Sequence, residues 1–184
     1  MLKDKGLKID IIDVGGGLGV KYKENETAID VKKYGELLSE KLGELNCKVI
    51  IEPGRFLTAN AGILVTKILH IKKSDIKNFV IVDAGMNDFI RPTLYGAHHN
   101  IIPLKEPKKL ENLKCDIVGP VCETGDFFAK DIDLNDINED DFLAICSTGA
   151  YGSVQSSNYN TRASIDELLI NNGEFEIIRK RINE

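Results

Sequence analysis

Ile9-Asp10-Ile11-Ile12-Asp13-Val14-Gly15-Gly16-Gly17-Leu18-Gly19 decides the architecture of the first third of this chain. A short apolar run ended by glycines is the pattern of a buried strand. From about Ile29 to Leu45, apolar Val31, Tyr34, Leu37, Leu38 and Leu42 recur at helical spacing, with Lys, Glu and Ser on the other face. Gly43 and Asn46 are stop signals. Lys48-Val49-Ile50-Ile51-Glu52 then reads as a second buried strand, ended by Pro53-Gly54. A strand–helix–strand of this length predicts a parallel pair.

After about Thr58 the texture changes. Gly62–Ile71, Phe79–Asp83, Cys115–Val118, Phe142–Cys146 and Glu174–Ile178 read as strands between polar, turn-rich segments. That pattern predicts a mainly antiparallel β-domain, a barrel or sandwich. The boundary falls near residues 56–62, giving an α/β part over 1–57 and a β-domain over 58–184. Two parallel strands and one helix cannot close a barrel, and an uncovered strand edge invites pairing with another chain. The first part therefore reads as a piece of an α/β domain begun elsewhere. The alternative is a small open sheet packed on the β-domain. An uncovered edge also predicts that the chain alone associates or aggregates.

Lys plus Arg number 24 and Asp plus Glu 29 in 184 residues, so the net charge is −5, a poor match for nucleic acid or an anionic membrane. No apolar run approaches the roughly 18 residues of a membrane span. The start, MLKDKGLKIDIID, lacks the apolar core of a signal peptide. A cytoplasmic protein is expected. In that compartment Cys47, Cys115, Cys122 and Cys146 predict no disulfide framework, and none has zinc spacing. Cys47 and Cys146, beside Val49 and Ile145, read as small core residues. Cys122 differs, because a polar turn with Glu123, Gly125 and Asp126 is a poor place for a buried thiol.

Several segments carry chemistry. Adjacent Gly15, Gly16 and Gly17 let backbone N–H groups close on an anion, although a tight structural turn explains them equally. Glu52-Pro53-Gly54-Arg55 ends the second parallel strand, the rim where such sheets bind ligands. Its carboxylate and guanidinium suit a cationic ring nitrogen and an anion. Taken singly it reads as a surface ion pair. Arg91-Pro92-Thr93-Leu94-Tyr95 can form a carboxylate clamp, although Arg91 by itself reads as an exposed loop residue. His98-His99 suggests a metal, but no third ligand is suitably spaced, so a solvated loop is expected. Gly119-Pro120-Val121-Cys122-Glu123-Thr124-Gly125-Asp126 sets a thiol beside a carboxylate in a turn, a proton donor next to a cation-binding group. Tyr151, between small residues after a strand, has a ring free for a ligand or for the core.

In this order the segments resemble the C-terminal half of the diaminopimelate decarboxylase family, pyridoxal-phosphate (PLP) enzymes of the alanine racemase-like group. The resemblance runs from Ile11-Ile12-Asp13-Val14-Gly15-Gly16-Gly17-Leu18-Gly19 to Gln155-Ser156-Ser157-Asn158-Tyr159-Asn160-Thr161-Arg162. The glycine loop and Glu52-Pro53-Gly54-Arg55 are shared with ornithine and arginine decarboxylase relatives. The segments at Arg91–Ala97, Gly119–Asp126 and Ser156–Arg162 are more specific.

The resemblance implies the final part of a PLP-binding (β/α)8 barrel followed by a β-domain. It implies that Gly15, Gly16 and Gly17 cradle the PLP phosphate, and that Glu52 pairs with the ring nitrogen, with Pro53, Gly54 and Arg55 beside it. Arg55, Arg91 and Tyr95 would bind substrate carboxylate, and Tyr151 both cofactor and substrate. Cys122 would supply the proton after CO₂ leaves, and Glu123 would bind the distal amine. The last two would serve the partner's site in a homodimer.

The implied reaction is decarboxylation of meso-2,6-diaminoheptanedioate to L-lysine. A substrate with an amino-acid group at each end needs both a cation and an anion at the distal end, which Arg55 or Arg91 and Glu123 supply. The family's Schiff-base lysine and a ring-packing histidine lie in a barrel segment that this sequence lacks, so the isolated chain is expected to be inert. Thr124 stands where the family more usually has Ser. The alternatives are a non-catalytic half or interaction module that pairs with an intact subunit, and a related PLP amino-acid decarboxylase.

Overall fold

The parallel pair forms as expected. In a computed structural model that describes residues 5–6, 8–108 and 111–181, strand β1 (Ile11–Asp13) runs parallel to β2 (Lys48–Ile50), with Ile12 opposite Val49. Part of the N-terminal stretch read for a signal peptide, residues 1–4 and 7, lies outside the described residues. Helix α1 (Val31–Leu42) joins the strands and starts at Asp30, whose carboxylate accepts from the Lys33 N–H at 2.9 Å. An N-cap of this kind satisfies an N–H that the first turn leaves unpaired. A 3₁₀ turn at Gly43–Leu45 follows, and Asn46, at φ 52°, swings the chain into β2.

The expected burial of these strands does not hold. Ile11 is 55% exposed, Ile51 is 42% exposed, and α1 buries no residue. Parallel strands are buried only when neighbours cover both faces, and here one helix and two strands do not cover them.

Helix α2 (Gly54–Thr58) and a 3₁₀ turn at Ala59–Ala61 lead into the second part. Its strands are β3 (Leu64–Lys72), β4 (Asn78–Val82), β5 (Ile101–Pro103), β6 (Asn112–Val118), β7 (Phe127–Asn135) and β8 (Phe142–Ile145). They form one sheet in the order β5-β8-β3-β4-β6-β7. Every neighbouring pair is antiparallel except β4 and β6, which run parallel. The edge strands β5 and β7 approach each other, so the sheet curls into a nearly closed barrel. Ile68, Val80, Val82, Phe89, Ile117, Phe128, Leu143 and Ile145 fill it.

β7, β5 and a later strand over Glu167–Asn171 escaped the sequence reading. β7 carries Lys130, Asp131 and Asp133 on its exposed side, and Asp131 has φ 54° where the register with β6 shifts. Such a bulged, charged strand lacks clean alternation. β5 is three residues long and ends in Pro103.

A final hairpin, β9 (Glu167–Asn171) and β10 (Glu174–Arg179), turns on Asn172 at φ 50° and Gly173 at φ 84°. Two positive φ angles make the type I′ turn that suits strand twist. Every residue of β10 is exposed. Among the described residues no helix is long and apolar enough to cross a membrane.

Candidate functional site

Arg91 begins the short helix α3 (Arg91–Tyr95), with Pro92 behind it and Gly96, at φ 59°, closing the turn. The exposed loop arginine expected from sequence is instead buried, at 7% exposure. Its Nε–H donates to Nε2 of His99 at 3.3 Å, and His99 Nδ1 lies 2.9 Å from the Cys146 carbonyl. An imidazole that accepts at Nε2 carries its proton on Nδ1, so both bonds fix one neutral tautomer. His99 is 2% exposed, which corrects the solvated-loop reading, whereas His98 is exposed. Burial, with like charge from Arg91, His98 and Arg55, pushes its pKa down to about 4. The rings of Tyr22 and Phe89 meet it edge-on, at 5.0 and 4.6 Å.

Among the described residues no carboxylate forms an ion pair with Arg91 or Arg55. Aromatic faces stand around them instead. The Arg91 guanidinium carbon lies 5.5 Å from the Tyr151 ring centre and 5.8 Å from those of Tyr22 and Tyr95; Arg55 lies 5.4 Å from Tyr151. These groups line a cavity of about 570 Å³. Glu26 also lines it, but its carboxylate accepts from the backbone N–H groups of Tyr22 and Lys23. A buried cation without an anion is costly unless a ligand completes it, so the chemistry of this cavity suits a negative group.

Glycine packing holds this wall. Gly149 N–H donates to the Ala59 carbonyl at 3.0 Å, and a Cβ on Gly62 would meet the Gly149 Cα at 2.7 Å. The loop after β8 is thereby pressed on the end of α2, bringing Tyr151 to Arg55. Tyr151 has φ 59°, a backbone state that tyrosine rarely adopts.

The glycine loop and the Glu52 segment also meet. The Glu52 N–H donates to the Gly15 carbonyl at 2.9 Å, and a Cβ on Gly16 would lie 2.5 Å from the Glu52 carbonyl oxygen. Gly15 and Gly17 have φ 71° and 92°, and the space around both is open. Glu52 is exposed, half-buried Pro53 follows it, and Gly54 opens α2.

The loop between β6 and β7 carries Cys122 and Glu123, and Asp126 shapes it. Asp126 accepts from Met86 N–H at 2.6 Å and Val121 N–H at 2.5 Å. Thr93 Oγ1 donates to the Gly125 carbonyl at 2.5 Å. Arg162 donates to Asn87 Oδ1 at 3.0 Å and to the Asp83 carbonyl at 2.7 Å. The Tyr159 hydroxyl donates to Glu123 at 3.3 Å. Cys122 is exposed as expected; Cys115 is buried, its thiol pushed up to about 11 by burial; Cys47 and Cys146 are half-buried rather than core. Among the described residues no group of His, Cys, Asp and Glu is disposed to hold a metal.

The structure thus brings together Arg55, Arg91, Tyr95 and Tyr151 around one cavity, and Gly15–Gly17 with Glu52 at another place. Neither Cys122 nor Glu123 lines the cavity. The sequence reading missed Tyr22, read His99 as a loop residue, and placed Asp126 in its turn without the bonds it accepts there.

The family model described as pyridoxal-dependent decarboxylase, C-terminal sheet domain, matches residues 10–149. The chain belongs to this family. A diaminopimelate decarboxylase of Aquifex aeolicus is 46% identical over 182 residues, covering 99% of this chain and 43% of that protein. A crystal structure from Aquifex aeolicus superposes with a TM-score of 0.95 at 45% identity, covering 99% of this chain and 45% of that one. The Helicobacter pylori diaminopimelate decarboxylase complexed with L-lysine has a TM-score of 0.90 at 44% identity, covering 98% and 44%. The chain spans less than half the length of these proteins and corresponds to their C-terminal part. The expected family is therefore borne out. As a member of a pyridoxal-dependent family, the chain has features that fit the cofactor: a glycine cradle open to an anion, beside an exposed carboxylate at Glu52.

Proposed function

We propose that this chain supplies the C-terminal part of a PLP-dependent decarboxylase that converts meso-2,6-diaminoheptanedioate to L-lysine and CO₂. The observation that carries the reading is the buried Arg91 guanidinium, without a carboxylate of its own, facing a cavity shared with Arg55. A substrate with a carboxylate at each end gives that charge a partner, whereas a diamine precursor such as ornithine has no second carboxylate. The names of the relatives, and the L-lysine in the Helicobacter pylori complex, support the same substrate class.

In this reading residues 1–57 are the end of a (β/α)8 barrel and residues 58–184 the β-domain of a cytoplasmic enzyme. The backbone of Gly15–Gly17 would hold the cofactor phosphate, and Glu52 would stand at the ring nitrogen, with Pro53 and Gly54 shaping the approach. When bound, PLP serves as the electron sink for the carbon that loses CO₂. Arg91, Arg55 and Tyr95 would hold carboxylate, and Tyr151 would contact both cofactor and substrate. The C–C bond breaks, its electron pair stays on the α-carbon, and the Cys122 thiol delivers a proton there. Solvent then reprotonates the thiolate. Glu123 holds the distal ammonium. Because Cys122 and Glu123 lie outside the Arg91 cavity, we assign them to the site of a second subunit in a homodimer.

The test joins the chain to a lysine-bearing barrel segment and assays diaminoheptanedioate, ornithine and arginine. Decarboxylation of diaminoheptanedioate alone is expected, with no turnover by the isolated chain. Turnover of ornithine or arginine without diaminoheptanedioate would overturn the substrate assignment, and turnover by the isolated chain would overturn the need for the segment.

A further inference from the structure

His99 has no role in the proposed reaction, yet it is among the most buried polar groups in the molecule. It connects two elements that the carboxylate site needs. Its Nδ1 side is tied to the Cys146 carbonyl, just past β8, and its Nε2 side receives Arg91 Nε–H at the start of α3. Tyr22 and Phe89 pack edge-on against the ring and limit its rotation.

We infer that His99 is a positioning residue: by accepting from Nε of Arg91 it turns the remaining guanidinium donors toward the cavity, where they meet a carboxylate. Nε is the arginine donor nearest the side-chain stem. Engaging it fixes the plane of the group and leaves the terminal amino groups to form a two-point contact. A carboxylate residue at this place would pair with Arg91 outright and compete with the ligand. A neutral imidazole orients the cation without neutralising it. A second cation here would repel Arg91, so the role requires His99 to stay uncharged.

The inference rests on the reading of Arg91 as a carboxylate-binding residue, and the test separates the two. Sodium acetate is titrated into the labelled full chain while NMR follows the Arg91 side-chain resonances. His99→Gln and His99→Asn are compared with the parent, and Arg91→Lys identifies the Arg91 resonances by their loss. Gln places an acceptor near the Nε2 position, and Asn places a donor near the Nδ1 position. Acetate should shift Arg91 saturably in the parent and in His99→Gln. In His99→Asn binding should weaken about fivefold, the loss expected for one hydrogen bond.

Equal affinity in His99→Asn and the parent would overturn the positioning role and leave the carboxylate reading intact. No response of Arg91 to acetate in the parent would overturn both, and would mark the carboxylate reading as the cause. In the unsubstituted chain, nitrogen shifts should show Nδ1 protonated and Nε2 bare near pH 7. A proton on Nε2 would overturn the inference without any variant.

Discussion

Gly149 lies so close to Thr58 that a Cβ there would meet the Thr58 carbonyl oxygen at 2.1 Å. That contact locks the Tyr151 loop to the helix that presents Arg55. No side chain can bend out of a clash with a backbone oxygen, so Gly149→Ala must part the two segments. We expect a loss of about 2 kcal/mol, in the range for overpacked sites, read as a lower urea midpoint at unchanged slope. A midpoint equal to the parent's would show that the two segments separate freely.

Asp126→Ala should cost more than a surface change. It strands the Met86 and Val121 N–H groups that the carboxylate now receives, at about 1–3 kcal/mol for each unsatisfied group. Asp126→Asn keeps one acceptor and turns the other position into a donor facing a donor, so an intermediate loss is expected. Unfolding curves for the three proteins rank them; Asn as costly as Ala would mean that neither bond survives the amide.

Thiol reactivity should separate by burial. At pH 8 a thiol with its pKa pushed up to about 11 is ionised only to about one part in a thousand. Cys115 should therefore resist iodoacetamide until the chain unfolds, while exposed Cys122 reacts in the native state. Peptide mapping after timed alkylation gives the order; early labelling of Cys115 would contradict the burial.

His99 also links folding to pH. Its pKa falls from about 6.5 in the unfolded chain to about 4 in the fold. Between these values the unfolded state binds the extra proton, so stability is full above pH 6.5 and is lost as pH drops toward 4. The loss amounts to about 3 kcal/mol over that window. Burial raises the pKa of Asp88 and Asp126, an effect of opposite sign as carboxylates begin to protonate. The comparison that isolates the histidine is His99→Gln, whose stability should be flatter between pH 6.5 and 4.5 than the parent's. Parallel curves would remove His99 from the acid response.

What could be read from the residues, and what could not, divides along a physical line. β1, α1 and β2 announce themselves because period and punctuation are local: an apolar run, a helical stripe, glycines at the ends. The Cys122 loop is equally visible, since Gly, Pro and Asp mark a turn wherever they stand. Arg91 is different. Its burial depends on His99 eight residues on, and the histidine's own state depends on a carbonyl at Cys146, forty-seven residues further. No window of sequence holds that triangle. β7 was lost for the opposite reason: its bulge at Asp131 breaks the alternation that would have revealed it.

Among the described residues Arg91 forms no ion pair, and that has a thermodynamic consequence. Any anion that pairs with it binds the native state and not the unfolded chain, and so enters the folding equilibrium itself. At a hundred times its dissociation constant such a ligand adds about 2.7 kcal/mol to stability. The melting temperature of this chain is therefore a gauge of site occupancy, readable without any turnover.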